Sequence, residues 1–203
     1  MSLPEEIKKY LPQYLSEDST KELLQKLGGF PNNIDNSLYT NELVEQPVIF
    51  QGDGLLDLHV INLPDTTVRP TPALVLTNTC DVDLANDRAY PVQICYSPIM
   101  RLESFAEMVA KVKGPDYAST LAQSIRRQHV TSIVYLPIGG GLTYEGIVFL
   151  DRINNYPNKL VPRDNLKEKR LFSLSNYGFY LLLLKISIHF SRIQEAVDRD
   201  IQQ

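Results

Sequence analysis

The feature that most restricts this chain is a change of hydrophobic period at Pro47. Before it, apolar residues recur at helical spacing; beyond it they gather in short runs separated by turn residues. Val48-Ile49-Phe50 leads into the turn Gln51-Gly52-Asp53-Gly54, and Leu55 to Ile61 alternates as a half-buried strand does. Residues 62–72 hold Pro64, Pro70 and Pro72 without periodicity, which predicts a loop. Ala73 to Thr77 is a continuous apolar run of the buried-strand type, and further strands are predicted over Tyr90–Tyr96, Val130–Leu136, Leu142–Leu150 and Arg170–Ser173. Ser104, Phe105, Met108, Val109 and Val112 return to a helical period, Gly114-Pro115 breaks it, and Tyr117 to Gln128 makes a second helix. Ser173 or Ser175 caps a closing helix through Leu181, Leu184 and Ile188 to Ile193 and toward Ile201. Short strands, a helical hairpin between them and a terminal helix imply a mainly β protein with helices (α+β), a small, partly open β-barrel with its helices outside.

Ahead of Pro47 the sequence predicts two short helices. Pro4, Glu5 and Glu6 suit a first helical turn, with Tyr10, Leu11 and Leu15 as its apolar stripe. Ser19 or Thr20 caps a second helix bearing Leu23, Leu24 and Leu27, ended by Gly28-Gly29 before Phe30-Pro31. The polar, Asn-rich stretch from Pro31 to Gln46 reads as a linker that wraps the surface. The expected organisation is a helical appendage and linker over residues 1–46, then one barrel over 47–203 with a helical insertion at about 101–129.

Composition narrows the function classes. At 203 residues the chain suits one core of ordinary size, and 43% hydrophobic with 22% charged residues is the balance of a globular chain. Cys80 and Cys95 lack both a disulfide framework and the paired spacing of a zinc site, so a reducing, cytoplasmic compartment is expected. Nothing at the N-terminus resembles a signal peptide, and Phe179 to Leu184 is too short an apolar run to span a membrane. The net charge of −4 conceals an uneven distribution. Residues 1–98 carry 14 acidic and 6 basic side chains, a balance of −8, whereas residues 99–172 carry 7 and 11, a balance of +4. The basic middle suits a phosphate-bearing ligand or an acidic partner, or is a solvated face.

The order of elements and several short motifs resemble the MazF/PemK family of bacterial toxins, small SH3-like barrels of the CcdB/MazF superfamily that cleave RNA. Gly52-Asp53 stands ahead of the first long strand, and Val68-Arg69-Pro70 precedes the apolar Ala73-Leu74-Val75-Leu76. Val92 to Ile99 matches a strand leading into a Pro-Ile turn, Gly146 to Ile153 the strand with the family's arginine-containing closing motif, and Leu182 to Ile193 its last helix. The resemblance implies a metal-independent endoribonuclease without cofactor, in which an Arg of the first loop and a Thr after the Pro-Ile turn act on the scissile phosphate. Arg69 occupies the first position; Met100 occupies the second, and a thioether neither relays a proton nor replaces a hydroxyl hydrogen bond. The N-terminal helical pair and the inserted hairpin are additions to that pattern.

The residues themselves nominate three clusters. Arg69 suits a phosphate because its guanidinium matches two oxygens at once, and Arg101, next to Met100, is the candidate to reach the same pocket. Arg126, Arg127 and His129 close the inserted hairpin and form a candidate RNA-contacting patch; the alternative is an exposed helix end whose dipole favours cations. Thr77, Thr79 and Asp81 belong to a polar loop directly after a predicted strand, a candidate pocket whose alternative is turn formation. Cys80 is there beside acidic residues that disfavour a thiolate, and Asp81, Asp83 and Asp87 lack the ordered spacing of a calcium loop. His59 and His189 read as structural, and Gly139-Gly140-Gly141 as a hairpin turn.

These readings predict a toxin-like RNA-binding protein or endoribonuclease of a toxin-antitoxin or phage-defence system. The alternatives are a non-enzymatic interaction subunit of a defence assembly, or a receptor for a small nucleotide between residues 62–72 and 77–89. An antitoxin or defence subunit is the expected protein partner, a homodimer is open, and the acidic N-terminal part is a candidate internal block over the basic middle.

Overall fold

In the computed structural model, residues 16–86 and 88–191 are described. The helix expected over residues 4–15 and the extension of the last helix beyond Ser191 lie outside them. The chain divides into two compact units, residues 1–33 and 34–203.

In the first unit, α1 (Glu17–Gly29) starts earlier than its sequence suggested: Ser16, not Ser19 or Thr20, is the N-cap, its hydroxyl accepting from the Ser19 N–H at 3.1 Å. Asn33 Nδ2 donates to the Lys26 carbonyl at 2.7 Å, so a side chain satisfies one of the carbonyls the helix end leaves open.

The second unit is built on eight strands: β1 (Tyr39–Thr40), β2 (Gly54–Asn62), β3 (Asp65–Val75), β4 (Gln93–Arg101), β5 (Ile133–Leu136), β6 (Gly146–Phe149), β7 (Asn154–Pro157) and β8 (Arg170–Leu174). Their order is β1-β8-β2-β3-β4-β6-β5, with β7 also on β4, and each pairing is antiparallel. With it go α2 (Thr79–Val82), α3 (Leu102–Lys113), α4 (Pro115–Arg126), α5 (Leu166–Lys169) and α6 (Asn176–Phe190). The fold is thus mixed α and β, with an eight-stranded sheet and six helices among the described residues. The terminal strands β1 and β5 do not pair with each other, so the sheet is not closed into a barrel. Among the described residues no helix is long and apolar enough to cross a membrane.

Two expectations change. Residues 62–72 are not a loop; most belong to β3, which pairs with β2 from Asp65 to Leu74. The prolines obscured this, yet they are tolerated because β3 meets β4 only at Ala73–Val75, leaving its outer edge without a partner that needs a donor. Pro98, expected at a turn, lies inside β4, which runs on to Arg101. The Asn-rich β7 carried no strand signal. It follows β6 along the same edge of β4, with Leu150–Ile153 looping out between Val148, opposite Ile99, and Asn154, opposite Tyr96.

Residues 34–46 take part in this unit. Tyr39 and Thr40 pair with Leu174 and Ser173. The segment is fastened by Arg170, whose side chain is wholly buried. Its guanidinium donates to the carbonyls of Leu43 (2.6 Å), Val44 (2.9 Å), Gln46 (3.0 Å) and Val48, and its Nε to Asp53 Oδ2 at 3.1 Å. Asp53, equally buried, also accepts from the Phe50 N–H at 2.9 Å and the Ser173 hydroxyl at 2.6 Å. A buried pair this fully bonded is one whose disruption leaves an uncompensated charge.

At the opposite end of the sheet, Gln128 sits at φ 59° and its amide grips β5: Nε2 donates to the Tyr135 carbonyl at 2.7 Å and Oε1 accepts from the Tyr135 N–H at 3.0 Å. Lys185 of α6, itself buried, donates to the carbonyls of Gln128 (3.0 Å) and Val130 (2.5 Å). Burial pushes its ammonium down to about 8. Close packing of α6 depends on Gly178, where an added Cβ would lie 2.3 Å from the Leu38 carbonyl oxygen.

Candidate functional site

Strand geometry decides which of the nominated residues meet. Neighbours on a strand point to opposite faces, so Met100 and Arg101 of β4 part company. Met100 lines a groove of about 690 Å³ bounded by Val60–Leu63, Arg69 and Thr71 of the β2–β3 hairpin and by Asp151–Asn155. Arg101 lines a different cavity, of about 780 Å³, between α3, α4 and the 138–145 loop, with its guanidinium carbon 4.0 Å from the centroid of the Tyr144 ring. Arg101 therefore does not reach the pocket of Arg69.

The groove exists because the hairpin is long and its outer half is free of the sheet. From Leu58 to Thr71 it pairs only with itself, since β2 meets β8 at Gly54–Leu55 alone. The arm is held over β7 and β4 by one bond to each: Asn154 Oδ1 of β7 accepts from the Ile61 N–H at 2.8 Å, and the Tyr96 hydroxyl of β4 donates to the His59 carbonyl. Arg69 sits on the arm with its side chain 71% exposed, only loosely paired to Asp65 at 3.7 Å. Opposite it, the looped-out segment supplies Arg152, whose guanidinium carbon lies 4.3 Å from the Phe149 ring centroid and whose Nη1 lies 3.6 Å from Met100 Sδ. The groove thus gathers two permanent cations, one thioether and, from Asp151, the only carboxylate among its lining residues. Stacked on an aromatic face, Arg152 keeps its N–H donors at the plane's edge for a phosphate or a base.

The other nominated residues are placed as follows. Arg126 also lines the Arg101 cavity and is chelated by Glu145, Nε to Oε1 at 2.7 Å and Nη2 to Oε2 at 2.8 Å; Glu145 accepts the Tyr135 hydroxyl as well. The Arg126 guanidinium holds the Glu145 carboxyl below the ordinary carboxylate range. Arg127 and His129 are placed beside it at the end of α4, both exposed. Thr77 and Thr79 are staples: the Thr77 hydroxyl accepts from the Cys95 N–H at 2.5 Å, and that of Thr79 from the Gln51 N–H at 3.0 Å. Asp81 accepts from Arg88 at 2.7 Å and lines a small cavity of about 280 Å³ that neither threonine reaches. Residues 62–72 share their groove with 151–155, and no described residue of 77–89 lines it. Of the aspartates considered for a cation, Asp87 lies outside the described residues, among which no group of three metal-ligating side chains is found.

The basic block of the middle segment is correspondingly less of a surface patch than its sum suggested. Arg170 is buried on Asp53, and Arg163 donates to the carbonyls of Val82, Asn158 and Val161. Arg152, read from sequence only as one member of that block and of the 146–153 motif, emerges as the groove's second cation; the aromatic Phe149 three residues earlier was the available signal. No family model and no curated protein matches this chain.

Proposed function

We propose that this chain is a toxin-like RNA-binding protein that holds the phosphate backbone of single-stranded RNA between the β2–β3 arm and the Leu150–Ile153 loop, on a MazF/PemK-like, SH3-like barrel that has opened. The observation that carries the reading is the convergence of Arg69 and Arg152 on the groove that Met100 lines. Guanidinium groups match phosphate oxygens bidentately and stack on unpaired bases, the two contacts single-stranded RNA offers. Cleavage through the 2′-hydroxyl needs a proton acceptor at that hydroxyl; Met100 is none, and Asp151 is the groove's candidate for that role in an endoribonuclease form of the reading. Retention of RNA intact is the expected outcome.

The test is binding of a labelled mixed-sequence RNA to the wild-type chain and to the Arg69→Ala/Arg152→Ala double variant over a salt series, with the ends of the RNA mapped afterwards. The reading requires salt-dependent binding that the double variant weakens. Binding indifferent to both substitutions overturns it, and cuts abolished by Asp151→Asn would establish the endoribonuclease form.

A second reading, a protein-interaction subunit, is favoured by the apolar tip of the arm, where Ile61, Leu63 and Val68 are all exposed, Leu63 by 73%. An acidic antitoxin segment or a defence subunit would satisfy both tip and arginines. Recovery of one partner at fixed ratio from cytoplasm of the native host, lost with Leu63→Ser/Val68→Ser, distinguishes it; a homodimer through the same tip would lose its mass in the same variant.

A further inference from the structure

The same arm lines a second cavity, on the other side of the His59–Tyr156 contact. Between Leu55 and Leu58 the β2–β3 register slips: Leu55 faces Ala73 and Leu58 faces Thr71, so β2 carries one extra residue. The bulge sets Asp57 at φ 61°, in the left-handed region that side chains other than Asn and Asp rarely adopt. Strained positions of this kind, like bulges, concentrate where a fold positions a group for binding. Asp57 lines a cavity of about 290 Å³ with an apolar floor of Leu55, Leu58 and Val161. One wall is aromatic, His59 and Tyr156 having ring centroids 5.6 Å apart. Lys169 adds a cation at the rim. Among the described residues neither the Asp57 carboxylate nor the Lys169 ammonium is occupied by a hydrogen bond or ion pair.

This set of groups is selective. A narrow apolar slot with an aromatic wall admits a flat ring. A carboxylate only accepts, and an ammonium only donates. The complementary edge has two adjacent N–H donors beside a carbonyl oxygen. Among the common bases guanine carries that pattern, in its ring N1–H, its exocyclic amino group and O6, whereas adenine turns a bare ring nitrogen toward the carboxylate. We propose that the cavity is a guanine-binding pocket in which Asp57 accepts from the ring N–H and amino group, Lys169 donates to O6, and the ring lies against the His59–Tyr156 wall. The inference rests on the RNA reading only for its choice of nucleobases as the ligand class.

Calorimetric titration of the full chain with guanosine and with adenosine tests it, because nucleosides carry no phosphate for Arg69 or Arg152. Guanosine should bind saturably and about tenfold more tightly than adenosine, and Asp57→Gly should abolish that preference. Glycine adopts φ 61° freely, so this variant keeps the bulge and should melt no lower than wild type; Asp57→Asn, close in shape, should lose the preference too. Guanosine binding no tighter than adenosine, or unchanged in both variants, overturns the pocket. Assays of RNA and guanosine on the wild-type chain, with Arg69→Ala/Arg152→Ala as the control for the groove, separate the two proposals. Guanosine preference without RNA binding upholds the pocket and defeats the RNA reading, and groove-dependent RNA binding without guanosine preference does the reverse.

Discussion

The two ends of the β2–β3 hairpin are made of the same two strands and behave as different materials. At the base, Gly54 and Leu55 pair with β8, Ala73–Val75 pair with β4, and both flank the Asp53–Arg170 contact at zero exposure. Along the arm every residue from Ile61 to Pro70 is exposed, and each strand has only the other for a partner. Each end also carries an arginine. Arg170 uses its donors on one carboxylate and four carbonyls, while Arg69 touches one distant carboxylate and is otherwise solvated. Burial with full pairing makes an arginine architectural; exposure on a ribbon anchored by that architecture leaves one available for a ligand.

The base is the end where a single substitution costs most. Arg170→Leu should destabilise the chain by about 3–5 kcal/mol, because Asp53 is left charged without a counterion in a site closed to water. A denaturation midpoint unchanged within error would show that the 43–48 carbonyls, not the ion pair, secure this junction. Removing the two groove cations should leave stability nearly untouched while cutting RNA affinity by about tenfold. The slope of log affinity against log salt should fall by about 1.4, since each phosphate neutralised on a single strand accounts for about 0.7. A slope unaltered by Arg69→Ala/Arg152→Ala would place the phosphates elsewhere.

Lys185 is another buried cation, held by two carbonyls, those of Gln128 and Val130, with no carboxylate among the described residues bonded to it. Its folded pKa of about 8 lies below the ordinary 10.5, so between those values the unfolded chain holds a proton that the folded chain has shed. Its contribution to stability therefore rises with pH through that window. Lys185→Met should flatten the pH dependence of the midpoint above pH 8, and an unchanged profile would assign that dependence to other groups. The smallest effect is expected at the tip of the arm, where Leu63→Ser should alter stability by no more than about 0.5 kcal/mol.

What the sequence disclosed followed from how strongly each segment obeys a single period. The inserted hairpin was legible because Ser104 to Val112 repeats at helical spacing and Gly114-Pro115 interrupts it; α3 and α4 fall there. β8 and α6 were legible for the same reason. The arm was not, since Pro64, Pro70 and Pro72 are loop signals by composition, and only the absence of a neighbouring strand makes them acceptable in β3. β7 was hidden by Asn154 and Asn155, of which Asn154 answers to tertiary hydrogen bonding rather than to alternation. At the site, Arg69 and Met100 were expected on one pocket and line one groove, but Arg152 enters through a loop that interrupts the β6–β7 edge, a geometry no local pattern encodes. Arg101 was misplaced by a single residue of strand phase, enough to send it to the opposite face.

The grip of Gln128 on Tyr135 bears on how this protein meets copies of itself. An edge strand is ordinarily a template for another chain, and β5 is the last strand on its side. Three of its outward groups are spent: the Tyr135 N–H and carbonyl on one glutamine amide, and the Ile133 N–H on the Val130 carbonyl at 3.1 Å. One side chain impersonates a ninth strand and ends the sheet there. Self-association by strand addition is thereby steered away from β5 and toward the open flanks of the arm, the same surface that RNA would occupy, so that oligomerisation and ligand binding would compete for one piece of backbone.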